Sequence, residues 1–244
     1  MKLASLGIRP KGSGALIFVL VDPDRMPMQA HATQIARLET CGVDAILVGS
    51  SVMLTEAFDA YVASMQRHTT LPIIGFPGST HQLSRRLDAV LYLSVISSRN
   101  PDFLFGKHLE AAPIIRSMEI DPWSTGYMLV ESGNLTTAQY IVQSLPIPRA
   151  KPDVAVATAL AAQYMGMSLI YLDGGSGAQQ AVPVEMIAAV SSVLDIPVMV
   201  GGGIRTGEQA RQAAEAGASI VVVGTALEQD PSILSELVQG AHLA

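Results

Sequence analysis

One cysteine, Cys41, in 244 residues leaves no partner for an internal disulfide, and a cytosolic, reducing setting is expected. Long apolar runs are missing too. None approaches the roughly 20 residues that a helix needs to span a bilayer, although the mean hydropathy is +0.37. The opening stretch MKLASLGIRPKGSG has no apolar segment of the secretory kind, so no signal peptide is expected. Basic residues are in deficit: 15 Lys and Arg stand against 21 Asp and Glu, a net charge of −6. That argues against general nucleic-acid binding and leaves local basic pockets open. Linkers, low-complexity tracts and charge blocks are also absent, which points to one domain over 1–244.

Hydrophobic residues are plentiful, at 49% against 15% charged, and they supply a large core. The apolar runs are strand-sized and end at Gly or Asp, as at 15–21 and 219–223. Strands buried on both faces read in this continuous way. The sequence predicts strands at 16–21, 45–49, 73–76, 89–93, 126–130, 169–172, 198–200 and 219–223. Helices are predicted between most of them, at 28–40, 56–68, 102–118, 152–165, 184–194 and 208–216, while 79–86 reads as a short crossover. Gly42, Gly166 and Gly217 each follow a helix, where glycine supplies a left-handed cap. Strands alternating with helices imply βαβ units and a parallel sheet. Eight strands in a chain of this length imply closure as an α/β fold of the (β/α)₈ TIM-barrel class.

A barrel of this class carries its chemistry at the C-terminal ends of its strands. Three of those ends form a set: Asp173-Gly174-Gly175-Ser176-Gly177, Gly201-Gly202-Gly203-Ile204-Arg205 and Gly224-Thr225. Glycines let backbone N–H groups approach an anion, and barrels commonly bind phosphate after strands seven and eight. One such loop would read as a tight turn; three in these places point to a phosphate. Asp22, after strand one, could hold Mg²⁺ with the Ser51 hydroxyl nearby, or could shape a turn around Pro23. Asp173 stands within the phosphate wall, where a second negative charge is unfavourable. It reads either as a hydroxyl-binding or proton-accepting group, or as a strand-end cap.

The remaining candidates read as structural. His31 and His68 are expected in helices away from the chemistry, His242 in the tail, and His81 on the surface. Cys41 reads as buried packing, as does Trp123, expected just before strand five at the stability face.

The loops after the strands also carry a resemblance. VDPD, ILVGSS, FPGS, SSRNP, TGYMLVESG, PIPRAKPD, GMSLIYLDGGSGA, VGGGIRTGEQA and VVVGTALE, in this order over residues 18–228, resemble the geranylgeranylglyceryl phosphate synthases. The likeness is to the second group of that family, which includes heptaprenyl-specific relatives. GGGIR and GT alone are shared by many phosphate barrels; the ordered combination with DPD, SSRNP and PIPR is specific. The resemblance implies an Mg²⁺-dependent prenyltransferase that joins a prenyl diphosphate, geranylgeranyl foremost, to sn-glycerol 1-phosphate as an ether. It places Mg²⁺ on Asp22 and Ser51. It places the glycerol phosphate on Tyr171, Leu172, Asp173, Gly174, Gly175, Ser176, Gly177, Gly202, Gly203, Gly224 and Thr225, with Asp173 catalytic. A groove for the lipid chain is expected from Val52, Met53, Leu54, Phe76, Leu93 and Val95. A homo-oligomer built from dimers is implied, with peripheral membrane contact for the lipid substrate.

The chain departs from the family pattern at several points. Asp173 stands where the family has Glu, Ser50 and Ser132 stand for glycines, and Ile96 stands for a small polar residue. DPWS at 121–124 lengthens the approach to strand five. These changes fit neutral drift, or a repurposed branch that uses another acceptor such as 3-phosphoglycerate or processes a prenyl diphosphate without one. A phosphosugar isomerase-type barrel would place paired acids or a lysine at strand ends, and a non-catalytic phosphate-ligand binder would need no base.

Overall fold

The eight apolar runs pair side by side, all parallel, and close on themselves in the order β1 to β8. The computed structural model describes residues 2–8 and 12–242. The strands are β1 Leu16–Val21, β2 Ala45–Val48, β3 Ile73–Gly75, β4 Ala89–Val95, β5 Asp121–Leu129, β6 Leu169–Asp173, β7 Val198–Gly201 and β8 Ile220–Val223. Closure is direct: Leu16 lies opposite Ile220 and Phe18 opposite Val222. Alternate side chains along each strand point to opposite faces. Leu16, Phe18, Leu47, Ile74, Leu91, Leu169, Met199 and Ile220 therefore fill the barrel. Their neighbours Ile17, Ile46, Val90, Ile170, Val198 and Val221 meet the helices outside. Both faces are dry, which is why the runs show no polar alternation.

The helices are α1 His31–Thr40, α2 Phe58–Gln66, α3 Lys107–Met118, α4 Thr137–Val142, α5 Pro152–Tyr164, α6 Val184–Val193, α7 Gly207–Glu215, α8 Thr225–Gln229 and α9 Leu234–His242. Helix α1 buries His31, Ile35 and Leu38, one stripe at helical spacing. Pro152 opens α5, where its missing N–H costs no intrahelical bond. Helix α3 is entered through a single π turn, Asp102–Gly106. Between β3 and β4 there is only a 3₁₀ turn, Thr80–Gln82, as the short crossover predicts. Buried Gln82 there clamps the end of β2, accepting from the Ser50 N–H at 2.9 Å and donating to its carbonyl at 2.8 Å.

Three helices were not predicted: α4, α8 and α9. The last lies on α7, and Ala15 N–H bonds Ala241 O at 2.9 Å, tying α9 to the start of β1. Small residues allow that packing. A side chain at Gly240 would strike Gly207 O at 2.0 Å.

Strand five corrects one expectation, while Trp123 keeps its expected place at the stability face, within the strand rather than before it. Residues 121–124 are not an approach to the strand but its first four residues, paired with β4 from Ala89↔Asp121 onward. Trp123 is consequently inside the barrel, buried at the end opposite the mouth. Leu3, Leu6 and Ile8 pack onto the same interior cluster. His31 also differs from its expected place. It opens α1, so it lies at the mouth end of the barrel wall, buried edge-on against Tyr61 at 4.6 Å. His81 is exposed as predicted, and Cys41 is half-buried beside the Ser235 hydroxyl rather than fully enclosed. Among the described residues no helix is long and apolar enough to cross a membrane.

Candidate active site

The strand ends surround a cavity of about 380 Å³, whose lining divides into three chemically different walls. The first is built by the loops after β6, β7 and β8: Gly175, Ser176, Gly177, Gly202, Gly203, Gly224 and Thr225. Glycine at 202 is a steric requirement. Its φ is +78°, and an added Cβ would sit 2.7 Å from Asp173 Oδ1 and from the N atoms of Gly174 and Gly175. Arg205 locks two of these loops together. Its guanidinium donates to Ala178 O at 2.5 Å, Gly203 O at 3.1 Å and Gln179 O at 3.2 Å. The hydroxyls of Ser176 and Thr225 lie 3.3 Å apart across the wall. Backbone N–H groups and two hydroxyls, held in a fixed concave loop set, are suited to phosphate oxygens.

The floor is aromatic with one acid. Tyr127 and Tyr171 meet at 5.3 Å between ring centroids, and Phe76 lies 5.9 Å and 5.6 Å from them. Asp173 is 5% exposed; its Oδ2 accepts from the Tyr127 hydroxyl at 2.5 Å and its Oδ1 from the Gly175 N–H at 2.7 Å. Burial raises the Asp173 pKa above the ordinary carboxylate value, and the two donors pull partly against that rise. Burial, then the Asp173 charge, holds both tyrosines well above the normal phenol range. The cavity therefore has a carboxylate of enhanced proton affinity at its floor.

The second wall is the Asp22 corner. Asp22 Oδ1 accepts from the Asp24 N–H at 2.9 Å, an Asx turn around Pro23. Its Oδ2 faces the Ser50 hydroxyl at 3.0 Å. The turn reading of Asp22 therefore holds, and the turn-forming carboxylate still lines the cavity alongside Ser51. Ser50, singled out as a departure, is the side chain bonded to Asp22. Arg25 Nε lies 3.8 Å from Asp22 and its Nη1 lies 3.2 Å from Glu228, across the seam between β1 and β8. Burial raises the Glu228 pKa and Arg25 works against it. Among the described residues no group of three or more His, Cys, Asp or Glu could hold a metal. One carboxylate and a hydroxyl nevertheless fit Mg²⁺, which takes oxygen ligands and fills its shell from water and phosphate oxygens.

The third wall is apolar: Leu20, Val52, Phe76, Leu93, Val95 and Phe103, continued by Ala138, Ile141 and Val142 of α4. Four of the six groove residues expected from sequence are here. Met53 instead packs into the outer core and Leu54 is 81% exposed. Two of the expected phosphate residues also fall outside the cavity lining. Leu172 points outward into the layer between barrel and helices, and Gly174 uses its N–H to bond Gly201 O at 3.0 Å.

The SSRNP and PIPR loops brace the mouth rather than line it. Ser97 Oγ accepts from Leu129 N–H at 3.1 Å and meets Ser144 at 3.2 Å. Arg149 donates to Ala181 O at 2.8 Å and Glu131 O at 3.1 Å. Sequence reasoning missed Tyr127, Phe103 and the α4 face. A signal existed for α4: Thr136 and Gln139 form a reciprocal capping box. None marked Tyr127, whose partner lies 46 residues away on the next strand.

The PcrB family model matches residues 15–241 of the chain. A geranylgeranylglyceryl phosphate synthase of Spirosoma linguale is 45% identical over 228 residues, 93% of this chain and 92% of the relative. One from Thermococcus gammatolerans is 47% identical over 219 residues, 89% and 86% of the two chains. Among solved structures, the chain is similar to the (S)-3-O-geranylgeranylglyceryl phosphate synthase of Thermoplasma acidophilum in complex with sn-glycerol-1-phosphate. That match has a TM-score of 0.93 and 32% identity and covers 100% of both chains. The N-acetylmannosamine-6-phosphate 2-epimerase of Clostridium perfringens shares the fold alone, with a TM-score of 0.59 and 13% identity over 96% and 95% of the chains.

Proposed function

Since this chain belongs to the PcrB family, we propose that it joins a prenyl diphosphate, with a geranylgeranyl chain, to the 3-hydroxyl of sn-glycerol 1-phosphate as an ether. That it is a prenyltransferase follows from what its relatives are. The finer reading is supported by one observation: a phosphate-shaped glycine wall, an acidic oxygen corner and an apolar wall open onto the same cavity, with Asp173 at the floor. A phosphorylated acceptor and a lipid diphosphate need those three surfaces together, and neither a phosphosugar nor a free lipid needs all of them.

In this reading the loops bearing Gly202, Gly203, Gly224, Thr225 and Ser176 fix the glycerol phosphate and aim its hydroxyl across the floor. The apolar wall takes the first isoprene units, excludes water and holds C1 near that hydroxyl. Asp22 and Ser51 would hold Mg²⁺, which supplies positive charge for the departing diphosphate. The faces of Phe76, Tyr127 and Tyr171 favour the positive charge that develops on C1. The acceptor's proton leaves toward Asp173. We further propose a cytoplasmic homo-oligomer built from dimers, which meets a membrane surface to collect its lipid.

Incubation with Mg²⁺, prenyl diphosphates of several lengths and either sn-glycerol 1-phosphate or 3-phosphoglycerate tests this. The expected product is the geranylgeranyl ether of the glycerol phosphate, identified by mass, with release of pyrophosphate. Product only from 3-phosphoglycerate, or none, overturns the reading. Asp22→Asn should abolish turnover with an unchanged melting curve; near-normal activity at low Mg²⁺ removes Asp22 from the metal site.

A further inference from the structure

The carboxylate that should receive the acceptor's proton is already engaged at both oxygens. Gly175 N–H holds Oδ1 at 2.7 Å and the Tyr127 hydroxyl holds Oδ2 at 2.5 Å. Asp173 and Tyr127 are each 5% exposed, and both line the cavity. A phenol has one proton and two lone pairs. Tyr127 has committed its proton to Asp173, so toward the cavity it offers only lone pairs. An alcohol that enters must donate its own hydrogen bond, and Tyr127 presents an oriented acceptor for it.

We propose that Tyr127 is a catalytic residue that relays the acceptor's proton to Asp173. The inference rests on the ether-forming reading above. As the acceptor oxygen bonds to prenyl C1, the C1–O bond to diphosphate breaks and its electron pair leaves with the diphosphate. The alcohol proton moves to Tyr127 Oη while the phenol proton moves to Asp173 Oδ2. Tyr127 ends unchanged, Asp173 ends as the neutral acid, and the ether carries no charge. The acid returns its proton to water when product leaves. Burial, which raises the proton affinity of Asp173 and resists a free phenolate, favours both transfers occurring together.

A double-mutant cycle tests the relay on the full-length enzyme with saturating substrates. Tyr127→Phe and Asp173→Asn are each expected to lower kcat by about 10²–10⁴-fold, the usual cost of a lost proton-transfer group. The double variant should be no slower than the worse single, because the two residues act as a unit. Affinity for glycerol phosphate and the melting temperature should stay near wild type, which a merely structural role would not allow. Effects that multiply in the double variant overturn the relay and leave Tyr127 acting through its ring alone. So does a Tyr127→Phe rate within about threefold of wild type, far below the cost of a lost base. Should Tyr127→Phe fail to fold, Asp173→Asn still presents Tyr127 with an acceptor, and a wild-type rate there is equally fatal. Failure of the ether reading is distinct, because the wild-type enzyme would then give no product.

Discussion

At Gly202 the chain has φ +78° with the Asp173 carboxylate and two N–H groups packed where a side chain would begin. Gly202→Ala must therefore strain the backbone, by about 1–2 kcal/mol for the left-handed conformation, and displace the neighbouring loop, whose Gly174 and Gly175 N–H groups bond Gly201 O and Asp173 Oδ1. We expect a lower melting temperature and at least about a tenfold loss of glycerol phosphate affinity, equivalent to about 1.4 kcal/mol. Wild-type affinity measured by calorimetry would remove Gly202 from the phosphate wall. His31 carries a different kind of cost. Both ring nitrogens are buried without a hydrogen-bond partner, and burial, with the nearby His68 and Arg67 charges adding to it, lowers the His31 pKa from 6.5 to about 4. Between those values the unfolded chain binds a proton that the folded chain refuses, so stability rises with pH across the window and is lost on acidification. The loss approaches about 3 kcal/mol by pH 4, at about 1.4 kcal/mol per pH unit. His31→Phe keeps the edge contact with Tyr61 and should flatten the stability profile between about pH 6.5 and 4. Parallel urea-denaturation profiles for variant and wild type would contradict this. At this scale the sequence was informative where a residue type is forced. Glycines at strand ends and an acid among them were legible. The Tyr127–Asp173 bond was not, because it depends on the register that sets Tyr127 beside Tyr171 and Leu129 beside Asp173.

Elements were legible in proportion to their burial. All eight strands stood out because both of their faces are apolar, and only their ends moved by a few residues. The exception in length is β5, where Asp121 and Pro122 argue against a strand. Pairing explains it: residues 121–124 have β4 on one side, whereas the β6 ladder begins only at Thr125↔Leu169. A proline there forfeits no ladder bond on the open side. Helix α4 escaped notice because its six residues are too few to show a periodic stripe. Its existence depends on its cap. The Thr136 side chain accepts from Gln139 N–H, while the Gln139 side chain accepts from Thr136 N–H at 3.2 Å. Thr136→Ala should cost about 1 kcal/mol, and Thr136→Ser should recover most of it by keeping the hydroxyl. Because Ala138, Ile141 and Val142 of this helix form part of the apolar wall, the alanine variant should raise KM for prenyl diphosphate more than for glycerol phosphate. An equal rise in both KM values would show that α4 does not serve the lipid side.

As a whole molecule, the barrel gathers the cavity at one end and leaves many large apolar side chains in solvent. Among the described residues, large apolar side chains stand in solvent mostly on α3, α4 and α5 and the turns beside them. Phe105, Leu109, Leu135, Tyr140, Leu145, Tyr164 and Met165 are all at least two-thirds exposed. Large apolar side chains left in solvent are the usual material of a docking face. Helix α4 matters most here, since Ala138, Ile141 and Val142 line the cavity while Tyr140 and Leu145 face out. A second copy of the chain is the simplest occupant, because a two-fold interface needs only one self-complementary patch, and about 800 Å² from each partner makes a stable one. Light scattering at micromolar concentration should therefore give a dimer or a multiple of it. Tyr140→Glu combined with Leu145→Glu should shift it toward monomer by placing charges in the dry centre of the contact, where pairs of like charge oppose each other. Dimerisation would also hold α4 in place from outside, so the monomeric variant should bind prenyl diphosphate more weakly and glycerol phosphate as before. A wild-type monomer that instead co-sediments with anionic lipid vesicles would assign the same surface to a membrane. A monomer that binds neither would leave the apolar face without the role argued for it.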